Sequence, residues 1–429
     1  MTAPWRALHA AFLGWMLDGM DVMLYAFALT SLQKEFGLSP AVLGGVASAT
    51  LVTSAIGGIA AGALADRFGR ARVLSWSILV YSLMTAGTAT AQGLASLLVW
   101  RALVGFGLGA EWSAGSVLVA ETWPARRRGA AIGFVQSGWA IGYLAAAGLS
   151  ALLLPTHGWR VLFLAGVFPA LLTVWIRRRV EEPEVWRRRS AGAGTPAGAQ
   201  STPPAPVAGS PAVGAHREGD AGLTAAERFR IILRPPLRRY TLVATGMGAA
   251  LLFAYWGLFT WIPAYLCSPV ERGGAGLGLV KSAAWIAPMQ IGAFLGYNLF
   301  GLVADRIGRR PAFLFFVLGA AAIVPAYGLS SRQPAMLLAL GPLVGFFGHG
   351  YFSLFGAMLA ELFPAGVRAT AQGLCYNTGR ALSALAPFGI GAAADRLGFG
   401  VALALTSMLY LVGGALIFLL PETRGRELA

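Results

Sequence analysis

Charge is what this chain has least of: 12% of its 429 residues are Asp, Glu, Lys or Arg, against 57% that are hydrophobic. One water-soluble core of that length cannot hide so much apolar surface, so lipid must be the main solvent. Cysteine is almost absent. Cys267 and Cys375 lie far apart and neither forms a CxxC pattern, which leaves no disulfide framework and no metal site to read. No Ser-His-Asp order, zinc-ligand spacing or phosphate-cradling glycine loop is present, so nothing supports an enzyme and no cofactor beyond a coupling proton is expected. Met1 to Ala11 holds one arginine and no small-residue cleavage site, and the apolar run that follows is too long and too polar at its centre for a signal peptide. It is expected to remain as the first membrane helix.

Long apolar runs, by contrast, fill the chain. Twelve stretches lie near the roughly 20 residues that cross a bilayer: 8–30, 42–65, 73–92, 95–118, 129–153, 159–176, 240–266, 279–303, 311–330, 335–359, 369–393 and 399–420. They are rich in Ala, Gly and Leu, lack the alternation of a barrel strand, and suit close helix packing. The expected fold is an all-α membrane protein with twelve transmembrane helices, spans 1 to 12, in two pseudo-symmetric six-helix bundles. The net charge of +15 would raise nucleic-acid binding in a soluble protein. With the N-terminus assigned to the cytoplasm, 25 of the 33 Lys and Arg residues fall in cytoplasmic segments, six outside and two, Arg101 and Arg380, within helices. That asymmetry is the positive-inside signature, so the basic clusters read as topological anchors and not as a nucleic-acid surface.

The halves repeat. Gly62-Ala-Leu-Ala-Asp66-Arg67-Phe-Gly69-Arg70 returns 239 residues later as Gly301-Leu-Val-Ala-Asp305-Arg306-Ile-Gly308-Arg309. A second echo matches Ala120-Glu121-Thr-Trp-Pro124 with Arg128 to Ala360-Glu361-Leu-Phe-Pro364 with Arg368, at an offset of 240. Two motifs in matching register demand a common architecture. Residues 1–178 form the first bundle, 179–238 a cytoplasmic linker and 239–429 the second bundle. Within the linker, Ser190 to Gly222 holds five prolines and no aromatic, Leu, Ile or Met, and is expected to be flexible. Thr224-Ala-Ala-Glu227 has capping-box spacing and opens an expected short interfacial helix.

The G-xxx-D-R-x-G-R pattern is the signature loop of the major facilitator superfamily, between spans 2 and 3 and again between 8 and 9. The chain resembles that family over essentially its whole length, including the Pro421-Glu-Thr-Arg-Gly425 ending. The resemblance implies a secondary transporter or facilitator whose halves rock about a central site. It assigns Gly62, Asp66, Arg67, Arg70, Glu121 and Arg128, with Gly301, Asp305, Arg306, Arg309, Glu361 and Arg368, to the cytoplasmic gate.

Charges inside the membrane point to coupling, because an unpaired Asp or Arg at mid-bilayer costs at least about 2.5–3.5 kcal/mol. Asp18 and Asp21, three apart on one face of span 1, disfavour double ionisation, which is what a proton carrier needs. The alternative is a structural pair with Arg101. Arg101, Gly105 and Gly109 share a face of span 4 and match the family's R-xxx-G-xxx-G pattern, which implies a link to proton movement for Arg101. Glu111, about 15 Å further along that helix, reads either as part of the relay or as a partner for a gate arginine. Leu17-Asp18-Gly19-Met20-Asp21 and Gly109-Ala110-Glu111-Trp112 resemble the proton symporters for organic acids, the sialic-acid and lactate-type group first and the aromatic-acid group next.

A carboxylate substrate needs a positive partner, and Arg380 offers a planar fork on span 11, one turn from Tyr376 and Asn377. Its first-half counterpart is Ala140, so it breaks the repeat. Gln136, Trp139 and Tyr143 on span 5, Tyr255 and Trp256 on span 7, Gln290 and Asn298 on span 8 and Tyr351 on span 10 are candidates for hydrogen bonds and walls. His349 reads as a packing residue ahead of a titrating one. The expectation is a monomeric plasma-membrane symporter that takes up a small organic anion with protons. An exporter, a sugar or metabolite symporter, and a receptor on a transporter scaffold are its rivals, although residues 133–148 lack the proline of the antiporter pattern in span 5.

Overall fold

The computed structural model describes residues 3–123, 125–180, 182, 224–364 and 367–423. Among them every regular element is helical. Span 1 is Ala3–Phe36, span 2 Pro40–Phe68, span 3 Arg70–Thr88 and span 4 Leu94–Thr122. Spans 5 and 6 are traced by Ala125–Ala165 and Ala170–Arg179, the chain reversing at Gly158, whose φ of +74° a side chain would resist. Span 7 is Leu237–Phe259 continued by Ile262–Cys267, span 8 Leu279–Ile307 and span 9 Arg309–Leu329. Spans 10, 11 and 12 are each broken, into Pro334–Gly350 and Phe352–Leu362, Arg368–Ser383 and Leu385–Leu397, and Phe399–Leu405 and Ser407–Leu416. In the last two, Ser383 donates its hydroxyl to Arg380 O and Thr406 to Leu403 O, at 2.8 and 2.7 Å. Such back-bonding competes with the helix ladder and bends it locally.

Among the described residues, eight helical stretches are long and apolar enough to cross a membrane by themselves, one of them, Ala130–Ile176, holding both spans 5 and 6. Among the described residues, spans 3 and 11 supply none of these and span 4 contributes the shorter apolar stretch Leu94–Gly109. Spans 4 and 11 carry Arg101 and Glu111, and Asn377 and Arg380, all buried and turned into the protein. Thr224 and Glu227 form the expected capping box of the short helix Ala225–Ile232. The linker expected over Ser190 to Gly222 lies outside the described residues.

Close packing rests on glycine against carbonyl, since lipid offers no hydrophobic drive between helices. A Cβ on Gly57 would overlap Phe106 O and one on Gly105 would overlap Thr50 O, which holds spans 2 and 4 together. The same offset takes these pairs to Gly296 with Phe346 O and Gly345 with Met289 O, between spans 8 and 10. The repeat therefore extends from motif to packing. Between the halves, span 2 runs against span 11, Gly44 meeting the Pro387 carbonyl. Span 5 runs against span 8, Gly133 meeting the Tyr297 carbonyl.

Gly109, whose Cβ would overlap Ser54 O, tests this packing. Gly109→Val should destabilise the purified protein by about 1–3 kcal/mol, lowering its thermal midpoint in detergent, whereas Gly45→Ala, with nothing within 4 Å of its added methyl, should leave the midpoint unchanged.

Candidate functional site

A narrow cleft lies where spans 1, 2, 4, 7 and 11 meet, between the two halves. Its wall includes Tyr25, Thr50, Ser54, Trp256 and Thr260, and both intramembrane arginines, Arg101 and Arg380. The rest is apolar. The cleft thus combines an apolar lining with two guanidinium groups.

Arg380 is 2% exposed and donates through Nη1 to Ser54 Oγ at 2.7 Å, a bond that joins span 11 to span 2 across the two halves. Its guanidinium lies 5.7 Å from the Tyr376 ring, and its Nε has no hydrogen-bond partner among the described residues. Arg101 is equally buried. One of its nitrogens is 3.8 Å from Asp21 Oδ2, and the guanidinium sits 5.0 Å from the Tyr25 ring, which is itself fixed by a 2.8 Å bond from its hydroxyl to Leu43 O.

Three carboxylates are fully buried beside these arginines. Neither oxygen of Asp18 has a hydrogen-bond partner among the described residues, and the same holds for Oε2 of Glu111. Glu111 lies directly against Gly14, where any added Cβ would strike its carboxylate. Gly14 is one helical turn before Asp18 on the same face. Of the two readings left open for Glu111, the geometry brings it beside Asp18 in the interior.

Of the residues expected to bind substrate or wall its site, Arg380 and Trp256 line the cleft and the others do not. Trp139 packs into an aromatic wall, its ring 4.9 Å from Trp15, 5.9 Å from Trp256 and 6.4 Å from Tyr255. Gln136 and Gln290 are buried, and the Gln290 amide has no hydrogen-bond partner among the described residues. Asn377 fronts Gly58 of span 2, while its amide donates to Gly373 O at 3.0 Å. Elsewhere, Tyr143 donates to Phe259 O at 3.2 Å, tying span 5 to span 7. Asn298 is half-buried and donates to Phe294 O of its own helix, and Tyr351 packs beside Phe352 and Tyr410; neither lines the cleft. His349 has both ring nitrogens engaged, with Gly345 O at 3.1 Å and the Tyr255 hydroxyl at 3.4 Å, in an aromatic nest. It is a packing residue. Thr50, Ser54, Thr260 and Tyr25 escaped sequence reasoning, although two hydroxyls four apart on span 2 share one face and offered a signal.

At the turn between spans 8 and 9, Arg309 bonds to Asp305 and, at 3.0 Å, to Glu361, whose other oxygen accepts from Thr423 Oγ1 at 2.6 Å. Arg306 is exposed, Gly301 is buried, and Arg368 donates to Phe363 O at 3.2 Å. The side chains of Asp66, Arg67, Arg70, Glu121 and Arg128, and Gly62, lie outside the described residues. Two acids absent from the expected set complete the motifs, one in each. Glu422 accepts from the backbone N–H groups of Arg309 and Arg310 at 2.9 and 3.0 Å, and Glu182 from those of Ala71 and Arg72 at 3.2 Å each. Each carboxylate seals the positive end of a helix. Gly308 and Gly69, with φ of +106° and +108°, make the sharp turns that admit them. The 240-residue offset between the two acids was the available signal.

Residues 11–329 match the family described as Major Facilitator Superfamily. The chain belongs to the Major Facilitator Superfamily. It is a multi-pass membrane transporter and not an enzyme. Residues 277–429 also match the description Sugar (and other) transporter. The chain is 35% identical to a putative metabolite transport protein of Haemophilus influenzae over 99% of its length and 98% of that protein. It is 32% identical to the cis,cis-muconate transport protein of Acinetobacter baylyi, over 96% and 93% of the two chains. A sialic acid transporter of Escherichia coli is 25% identical over 97% of this chain and 93% of its own. These relatives bear out the organic-acid resemblance. In structure the chain is similar to a proton:xylose symporter, with a TM-score of 0.74 at 17% identity over 99% and 98% of the two chains, a likeness of fold.

The two acidic seals should be energetically equivalent. Glu422→Ala and Glu182→Ala should each destabilise this superfamily member by about 1–2 kcal/mol, read as similar falls in thermal midpoint in detergent.

Proposed function

We propose that this transporter takes up a small organic acid, an unsaturated, aromatic or sugar-derived carboxylate, together with protons across the plasma membrane, as a monomer with both termini in the cytoplasm. The observation that carries the reading is Arg380, a repeat-breaking arginine buried in the inter-half cleft and bonded to Ser54 of the opposite half. A carboxylate that bridged this fork would touch both halves at once, which is what alternating access asks of a substrate. Trp256, Tyr25 and the apolar wall suit a flat or hydrophobic body. The relative that transports cis,cis-muconate supports the same substrate class. Buried carboxylates beside the cleft supply the means to carry a proton.

The match of residues 277–429 to sugar transporters favours a second reading, sugar uptake. A neutral sugar carries no carboxylate for the planar fork of Arg380 to hold, so we place it second.

Proteoliposomes with an imposed inward-acid gradient, offered radiolabelled cis,cis-muconate, lactate, sialic acid and 4-hydroxybenzoate beside xylose, test the proposal. Gradient-dependent accumulation of an acid is expected, and Arg380→Ala should raise the concentration for half-maximal uptake about ten- to a hundredfold, the worth of one charged hydrogen-bonded contact. Uptake of xylose alone, or of no acid under either condition, would sink it.

A further inference from the structure

Five ionisable groups meet in the interior, and their pairing differs from the one their spacing in sequence suggests. Asp21 faces Arg101 at 3.8 Å, and the two balance each other. Asp18 and Glu111 remain with Arg380. Glu111 occupies the space over Gly14, one turn from Asp18, so spans 4 and 1 bring the two carboxylates onto one face. Arg380 reaches the same place from span 11. It bonds to Ser54, and the Ser54 carbonyl is what Gly109, two residues before Glu111, packs against. Glu111 feels the charges of Asp18 and Arg380, and Asp18 feels those of Arg380 and Asp21. Also facing the pair are Tyr81 of span 3 and Tyr376 of span 11, with Asp21, Arg101 and Tyr25 around the outer arginine.

We propose that Asp18 and Glu111 form one proton-binding pair that competes with the substrate carboxylate for Arg380, so that each carboxylate bound draws one proton onto the pair. In the empty cleft one carboxylate balances Arg380 and the other is neutralised by a shared proton, because an uncompensated charge is not tolerated there. When a substrate carboxylate takes the guanidinium, the remaining ionised member loses its counter-charge and binds a second proton from water. Release of the anion returns the guanidinium to the pair and expels that proton. Loading adds one negative and one positive charge, so transport of a monocarboxylate is electroneutral. Asp21 acts as a positioning residue that holds Arg101 and takes no part in the proton count.

The inference rests on the organic-acid reading, and the test separates the two. Binding of radiolabelled nicotinate, 4-hydroxybenzoate and cis,cis-muconate to the full-length protein in nanodiscs is measured from about pH 5.5 to 8.5. One linked proton makes affinity for a monocarboxylate fall about tenfold per pH unit on the alkaline side. Asp18→Asn and Glu111→Gln should each keep that slope with a displaced midpoint, because the surviving carboxylate still answers to Arg380. The double variant Asp18→Asn with Glu111→Gln should bind at every pH without a slope, exchange acid across liposomes, and fail to accumulate it under a pH gradient. Asp18→Asn with Asp21→Asn should keep the slope through Glu111. In wild-type liposomes, a potassium-valinomycin potential should leave the rate of monocarboxylate uptake unchanged. A flat profile in the Asp18, Asp21 double variant, an unaltered profile in the Asp18, Glu111 double variant, or potential-driven uptake overturns the pairing while leaving acid transport standing. Binding of no acid at any pH removes both.

Discussion

Burial of charge in a medium that cannot solvate it is the constraint on which the rest of this molecule depends. Arg101, Arg380, Asp18, Asp21 and Glu111 are all under 3% exposed. Each can stay there only if an opposite charge, a proton or a substrate answers it. That requirement decides which helices must touch. Span 4 must reach span 1 to bring Arg101 to Asp21, and span 11 must cross to span 2 to bring Arg380 to Ser54. The glycines supply the approach: without Gly105 and Gly109 span 4 could not lie on the span 2 backbone, and Glu111 would not meet the face of span 1.

The same electrostatics operates at the membrane surface with different parts. There the charges are helix ends, and Glu182 and Glu422 answer them through backbone N–H groups. The arrangement is duplicated because the repeat duplicates the helix ends that need it. The interior is where the halves diverge. Gly109, in contact with Ser54, is answered in the second half by His349 in an aromatic nest, and Ala140 is answered by Arg380. A symmetric frame thus holds an asymmetric centre, with Arg380 in one half and the three buried carboxylates in the other.

Much of the frame was legible in the chain. The two loop motifs are short, local and tied to a backbone turn that only glycine takes easily, so their meaning survives without knowledge of anything distant. Arg380 stood out because it violated the repeat, and it lines the cleft. Asn298 and Tyr351 were drawn in by chemical type alone, and a polar side chain in a membrane helix has an easy alternative to a ligand in its own helix carbonyl or a neighbouring ring. Asn298 takes the carbonyl and Tyr351 the rings.

By itself the sequence determined that the protein lies in lipid, that it consists of two related six-helix bundles and that two arginines and three carboxylates are buried in it. These follow from composition, length and repetition, which are properties of the chain taken in order. Only the tertiary structure decided who answers whom. Asp18 sits three residues from Asp21, and helical periodicity places those two together. Yet Glu111 comes to Asp18 from 93 residues away, and Ser54 to Arg380 from the other half, 326 residues away in the chain. Such pairings depend on which helix faces pack and how closely, a matter of glycine contacts between spans, and helical spacing within a single span carries no record of it.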